Sequence, residues 1–361
     1  MRTAEAIKKA AGRLCPEADV AILDTFRYAS PFLEKIVLGA YMEMLKMSPI
    51  IYGYLYRQAE HGRPLSGRGK MEFNRILNIL AAPKLEEYIK IHKPEIIVCT
   101  HPFPLGIACW MKKRGIFQGP VVATITDFTI HSYWIFPEVD LYLVGSEVLK
   151  KQCEKFGIET ERVQATGIPI DPEFDNSYDK CEIKKELSLE RSIPAILING
   201  GGLGMGPLES AVKRLSKNRV DCQIIVVTGT NSVLKEKLER LAPELTCRVK
   251  IFGYVNNIHK LMAASDMMVG KAGGLTCAEA MATGLPVFIV DPLPGQEERN
   301  TEFITSMGAG VRVKEKNLAH LINEYIKEPY KIMDMAEKAK VLGKPKAAFD
   351  AVRIMSDVVN N

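Results

Sequence analysis

The sequence predicts an α/β protein in which two doubly wound, parallel-sheet halves follow one another along the chain. Three observations carry this: short β-branched apolar runs recur over nearly the whole length, charged stretches of helical period separate them, and glycine-rich turns follow several of them. Runs that are apolar throughout imply strands buried on both faces, as parallel sheets require. At 361 residues the chain exceeds what one core supports, roughly 250 to 300 residues, so two domains are expected.

In chain order the first half offers the runs Val20–Leu23, Ile96–Cys99, Val121–Thr124 and Leu141–Val144. The second offers Ala195–Ile198, Gln223–Val227, Met267–Val269 and Val287–Val290, with helical periodicity over Leu208–Ser216 and Ser232–Leu241. Between the halves, Gly167–Asn176 carries Pro169, Pro172 and a polar run, the marks of a boundary. The organisation expected is a first domain over 1–168, a linker over 169–190, a second domain over 191–340, and a terminal helix over 341–361 that could pack back on the first domain.

Composition narrows the class. A chain that is 47% apolar and 25% charged, with net charge +5, is an ordinary globular protein. The longest stretches free of charged residues, Ile96–Met111 and Ser192–Leu208, are broken by Pro, Gly or His and fall short of the roughly 20 apolar residues of a spanning helix. The first residues lack the apolar core of a secretory signal. Eight cysteines show no C-x-x-C spacing, which fits reduced thiols and neither a zinc site nor a disulfide framework. A cytoplasmic protein is expected.

One segment departs from the pattern. Tyr28–Tyr56 is dense in Tyr, Met and aliphatic residues, among them Tyr41, Leu45, Ile50, Ile51 and Tyr54, and residues 61–120 after it are strongly basic. An apolar segment beside a basic neighbourhood suits the surface of an anionic membrane, and it equally suits a buried hairpin with a solvated basic face. The basic residues lack interleaved aromatic stacking positions, so nucleic acid is not an expected partner.

Three loops at predicted strand ends carry chemistry. Gly200-Gly201-Gly202-Leu203-Gly204-Met205-Gly206 leads from a strand into a helix and lets backbone N–H groups approach phosphate oxygens; it lacks the Gly-Lys-Ser/Thr of a Walker loop. Lys271-Ala272-Gly273-Gly274-Leu275-Thr276 repeats the arrangement with a cation, and Glu279 follows on the helix, where a carboxylate can accept two ribose hydroxyls. Asp291–Asn300 presents Gln296, Glu297 and Asn300 after a Pro-Gly turn, side chains that can bond sugar hydroxyls. Each loop alone would serve as an ordinary turn, and Glu279 as a partner of the helix dipole. Together they describe a nucleotide-sugar pocket. No Asp-x-Asp pair stands beside them, so neither a metal nor a separate cofactor is expected. In the first half, Asp127, His131 and Trp134 follow the run Val121–Ile125, where the two polar residues could serve acid–base work and the Trp a lipid or sugar face.

These residues resemble the processive diacylglycerol glucosyltransferases and monogalactosyldiacylglycerol synthases, which are similar in turn to the peptidoglycan lipid-intermediate N-acetylglucosaminyltransferase. The matching pieces are Thr126-Asp127 with His131 and Trp134, Thr166–Ile170, Gly200–Pro207, Phe252-Gly253-Tyr254-Val255, Lys271–Thr276 with Glu279, and Pro294–Glu297 with Asn300. The resemblance implies a GT-B fold of two Rossmann-like domains facing a cleft. It implies inverting transfer of glucose or galactose from a UDP-sugar to diacylglycerol, making a membrane glycolipid, by an enzyme peripheral on the inner face of the cell membrane. It would place the uracil at Phe252, Tyr254 and Val255 and the ribose at Glu279. The diphosphate would meet Gly201, Gly202, Gly204, Met205, Gly206, Lys271, Gly273, Gly274 and Thr276, and the hexose Gln296 and Glu297. The family opens with a strand and a Gly-x-Gly-His loop whose His is the expected base, and here Met1 stands at that position. A further 15 to 20 residues upstream, roughly one buried strand and its loop, are therefore expected. Competing functions are transfer to another lipid-linked acceptor, UDP-sugar 2-epimerisation, and sugar-nucleotide binding without turnover. Glucose and galactose differ at one stereocentre, which loop composition does not separate.

Overall fold

The computed structural model describes residues 1–29 and 81–360. They form two compact units, the first of Met1–Pro172, Leu293–Gln296 and Lys346–Asn361, the second of Glu173–Pro292 and Glu297–Pro345.

Among the described residues the first unit holds four parallel strands in chain order: β1 (Ile97–Cys99), β2 (Val121–Thr124), β3 (Leu141–Leu143) and β4 (Val163–Gln164). Parallel neighbours need crossovers, and helices Pro102–Lys113 and Glu147–Lys155 supply two of them. Ser146 caps the second, its hydroxyl accepting the Leu149 N–H at 3.2 Å. Side chains alternate across the sheet. Val121 and Ala123 face a core shared with Leu105, Ile107 and Met111, while Val122, Leu141 and Leu143 face Ala6, Ile7, Ala10 and Ala11. Those alanines belong to helix Arg2–Leu14, which packs against the terminal helix Ala347–Asn360 through Ala348, Ala351, Val352 and Met355. Small side chains on both helices permit this close approach.

The expected strand at Val20–Leu23 is corrected. Val20 packs on one of these cores and Leu23 on the other, as an extended run would, but neither lies in a ladder. A strand exists only through its partners, and this run has none among the described residues.

The second unit holds six parallel strands in the order β10-β9-β8-β5-β6-β7: β5 (Ala195–Asn199), β6 (Gln223–Val227), β7 (Val249–Phe252), β8 (Met267–Gly270), β9 (Val287–Val290) and β10 (Gly310–Val313). The chain enters at β5 in the middle, moves outward through β6 and β7, then returns to the other side of β5 with β8. Leu208, Ala211, Val212 and Leu215 of helix Leu208–Lys217 cover Ile196, Ile198 and Val226 on one face.

An ionic cluster fastens the lower end of this sheet. Asp266, one residue before β8, accepts the Ala195 N–H at 2.8 Å, Lys180 Nζ at 2.7 Å and Lys184 Nζ at 3.3 Å. Lys184 is almost fully buried, and its ammonium also donates to the carbonyls of Arg191 and Ile193. Burial pushes the Asp266 carboxyl up, but Lys180, the Ala195 N–H and Lys184 outweigh it and hold it below the ordinary carboxylate value. Asp266→Ala, which leaves Lys184 buried without its counter-charge, should lower the unfolding free energy at neutral pH by about 3 kcal/mol in urea titration. Because the folded-state value is depressed, the carboxylate's contribution is complete above the unfolded value of about 3.9 and fades as pH falls through the folded one, so the gap between wild type and variant should close in acid.

Candidate functional site

Strands β5 and β8 are neighbours whose onward connections part. After β5 the chain crosses to β6; after β8 it crosses to β9 on the opposite side. Crossovers of one hand that run in opposite directions send their helices to opposite faces, which opens a crevice at the carboxyl ends of the two strands. The residues bordering it are Asn199 and Gly270, which pair directly across the ladder. A side chain at position 270 would crowd the Asn199 carbonyl, with a Cβ only 2.6 Å away. The two glycine-rich loops leave from this point.

The first loop is held by its neighbours. Asn199 Oδ1 accepts the Gly201 N–H at 2.9 Å, and the Met205 N–H returns to the Gly200 carbonyl at 2.8 Å. From the adjoining loop, Thr230 donates both its N–H, at 2.9 Å, and its hydroxyl, at 3.1 Å, to the Gly202 carbonyl, and Asn231 Nδ2 reaches the Gly204 carbonyl at 3.5 Å. Gly204 has φ 62° and is buried against Thr228 and Asn231, so a Cβ there would strike the Thr228 carbonyl oxygen. Gly202 lies exposed with open space around it.

The loop Thr228–Asn231 was not among the expected site residues. While Thr230 and Asn231 grip the glycine loop, Thr228 donates through its N–H and hydroxyl to the Phe252 carbonyl at 2.9 and 3.2 Å, tying in the end of β7. Asn231 also caps helix Ser232–Leu241, accepting the Leu234 N–H at 3.0 Å. The sequence did carry a signal, a Thr-Gly-Thr-Asn turn ending in a capping residue. Past the end of β7, Tyr254 is about half exposed, while Phe252 and Val255 are partly covered.

At the second loop, Gly273 precedes helix Gly274–Ala282, Thr276 lies in its first turn and Glu279 is buried in its second. Lys271 Nζ donates to the Asp291 carbonyl and lies 4.0 Å from a Glu297 carboxylate oxygen. Gln296 and Glu297 open helix Gln296–Ser306. Asn300 requires a correction: it has no exposed surface, and its amide donates to the Ala272 carbonyl at 2.9 Å. Its side chain fixes the loop from behind instead of meeting a sugar.

In the first unit, Asp127 and His131 lie partly exposed in the loop after β2. His131 precedes the short helical turn Ser132–Trp134, with its ring 5.9 Å from that of Tyr133. Trp134 is the second correction. It is 3% exposed within the core beside Val139 and Tyr142, so its face is not offered to a lipid or sugar. Tyr41, Leu45, Ile50, Ile51 and Tyr54 lie outside the described residues.

Among the described residues no group of His, Cys, Asp or Glu is arranged to hold a metal ion, and no helix is long and apolar enough to cross a membrane. All eight cysteines are free thiols, and burial pushes those of Cys99, Cys153 and Cys222 up to about 12, which keeps them un-ionised at neutral pH.

Comparison with known proteins adds to this geometry. Residues 1–170 match the family described as monogalactosyldiacylglycerol (MGDG) synthase, and residues 195–351 match the glycosyltransferase family 28 C-terminal domain. The processive diacylglycerol beta-glucosyltransferase of Bacillus subtilis (strain 168) is 31% identical over 300 residues, covering 81% of this chain and 75% of that protein. The chain belongs to this family of diacylglycerol glycosyltransferases. A plant member, monogalactosyldiacylglycerol synthase 3 of Arabidopsis thaliana, is 32% identical over 285 residues, which cover 75% of this chain and 61% of the plant protein. The chain thus spans less than two thirds of its plant relatives' length. Among solved structures, Acinetobacter baumannii MurG matches with TM-score 0.55 at 16% identity, over 78% of this chain and 80% of that one. An S. aureus MnaA–UDP co-structure matches with TM-score 0.59 at 16% identity, over 81% and 82%. The family's fold is thus the two-Rossmann GT-B type, with the parallel sheets of four and six strands described above.

The packing around the first loop makes its glycines unequal. Gly204→Ala should cost about 2 kcal/mol or more of stability, from positive φ and collision together, whereas Gly202→Ala should stay within about 1 kcal/mol. Thermal denaturation of the two variants side by side reads the difference.

Proposed function

We propose that this chain transfers a hexose, glucose or galactose, from a UDP-sugar to the free hydroxyl of diacylglycerol with inversion at the anomeric carbon. The observation that carries this reading is the crevice between β5 and β8, flanked by glycine-rich loops, in a chain of the diacylglycerol glycosyltransferase family. A helix N-terminus and glycine backbone are suited to a diphosphate, and Lys271 supplies a cation without a metal ion. The assignment is Phe252, Tyr254 and Val255 to uracil and Glu279 to ribose. Gly201–Gly206 and Gly273–Thr276 take the diphosphate, and Gln296 with Glu297 the hexose. Relatives named for diacylglycerol glucosyl transfer and for monogalactosyldiacylglycerol synthesis support the lipid acceptor and leave both hexoses in play.

Inversion is a single displacement. The diacylglycerol oxygen bonds to the anomeric carbon as the bond from that carbon to the β-phosphate oxygen breaks. A base removes the hydroxyl proton, and UDP departs with the electron pair. Backbone N–H groups and Lys271 oppose the charge that grows on the leaving diphosphate. Of the residues described, Asp127 and His131 are the proposed acid–base and acceptor-orienting groups. A cytoplasmic enzyme resting on the inner face of an anionic membrane would meet both substrates, with the apolar segment of Tyr28–Tyr56 and the basic residues after it as the contact.

The test is glycolipid formation from UDP-glucose or UDP-galactose with diacylglycerol in anionic vesicles. Asp127→Asn should lower kcat about a hundredfold with KM for the UDP-sugar little changed, and Glu279→Gln should mainly raise that KM. Absence of glycolipid with either donor, while UDP still binds, would reject the diacylglycerol acceptor in favour of another.

A further inference from the structure

Four non-glycine residues among those described have positive φ: Lys93, Ser188, Arg219 and Asp291. Three of them end helices. The Lys93 N–H returns to the Ile89 carbonyl, and Ser188 and Arg219 sit in turns where the next residue's N–H returns to Lys184 and Leu215. A left-handed residue is the usual way to finish a helix. Asp291 finishes no helix. It directly follows β9 with φ 39° and precedes Pro292, a position that sterics push toward extended backbone. Strained backbone away from any cap persists only where the surroundings enforce it, and it gathers at functional sites.

Two bonds enforce it here. The Asp291 carboxylate accepts the Glu315 N–H at 3.2 Å, and the Asp291 N–H reaches the Val313 carbonyl at 3.4 Å. With the side chain and amide both tied toward β10, the carbonyl is turned the other way, onto Lys271 Nζ. The stem of Lys271 runs beside the first glycine loop, its Cγ 3.2 Å from where a Cβ on Gly206 would stand, and its ammonium also faces Glu297 at 4.0 Å.

We propose that Asp291 is the positioning residue for Lys271, its left-handed backbone aiming a carbonyl that parks the ammonium beside the glycine loop where the diphosphate binds. The inference rests on the donor-site reading above. An extended backbone at 291 would swing the carbonyl away and leave Glu297 as the ammonium's partner in this trio, drawing the cation toward the proposed hexose end of the site. The neutral carbonyl holds Lys271 in place without cancelling its charge, which a second carboxylate would do.

The experiment is titration of the full chain with UDP and, separately, with uridine, which lacks the phosphates. Asp291→Val, whose β-branched side chain resists positive φ, should weaken UDP about tenfold, the scale of one charge-assisted hydrogen bond, with uridine affinity unchanged. Asp291→Asn, which tolerates positive φ and keeps an acceptor for the Glu315 N–H, should recover most of the loss. In a Lys271→Met background Asp291→Val should have no further effect. Unchanged uridine binding also reports that the variant is folded. If Asp291→Val weakens UDP and uridine alike, leaves UDP unchanged, or multiplies with Lys271→Met, the proposal is wrong while the donor site stands. If the wild-type chain does not bind UDP, the donor-site reading falls and takes the proposal with it.

Discussion

The ladder between β5 and β8 is the constraint on which the second unit depends. Chain connectivity makes β5 the strand from which the sheet grows in both directions, so the peptide must leave the top of β5 toward one side and the top of β8 toward the other. No side chain creates the resulting crevice; it follows from strand order and the fixed hand of the crossovers. Side chains enter at the next level, where Asn199, Thr230 and Asn231 fix a loop that has almost none of its own. Glycines admit the backbone to a ligand, and the neighbours supply the rigidity that glycines lack.

How far this was legible in the sequence follows from burial. The interior strands β2, β3, β5, β6, β8 and β9 are buried along their whole length and stand out as mostly apolar runs, with Thr124, Asn199 and Gln223 only at their ends. The three that did not stand out are β4, β7 and β10, and all are sheet edges. An edge strand has one neighbour and carries polar residues such as Lys250 and Arg312, which blur the pattern of a doubly covered strand. Val20–Leu23 shows the converse, since an apolar run states a preference for burial and says nothing about who will pair with it.

At the site, residues contributed by backbone were easier to read than those contributed by side chains. Glycine clusters after strands announce themselves, and so does the lysine beside them. Whether a polar side chain points into a crevice or behind a loop is decided by packing, and the sequence is silent on that. Asn300 faces Ala272 and Trp134 sits in the core, although each has polar, partly exposed neighbours such as Arg299 and His131. Thr230 and Asn231 act through their neighbours' carbonyls, a role with no compositional signature beyond that of an ordinary turn.

The helix Ala347–Asn360 covers the face of the first sheet formed by Val122, Leu141 and Leu143, although the whole second unit is synthesised between them. Until Ala347–Asn360 leave the ribosome, that apolar face is waiting for part of its cover, and residues 81–172 of the first unit emerge long before it can close. The order of synthesis and the order of completion therefore differ. The first sheet is thus completed only after the second unit has been made, so the nascent chain must either shield that face with other apolar surface or be shielded by a chaperone for the time it takes to translate a complete Rossmann domain.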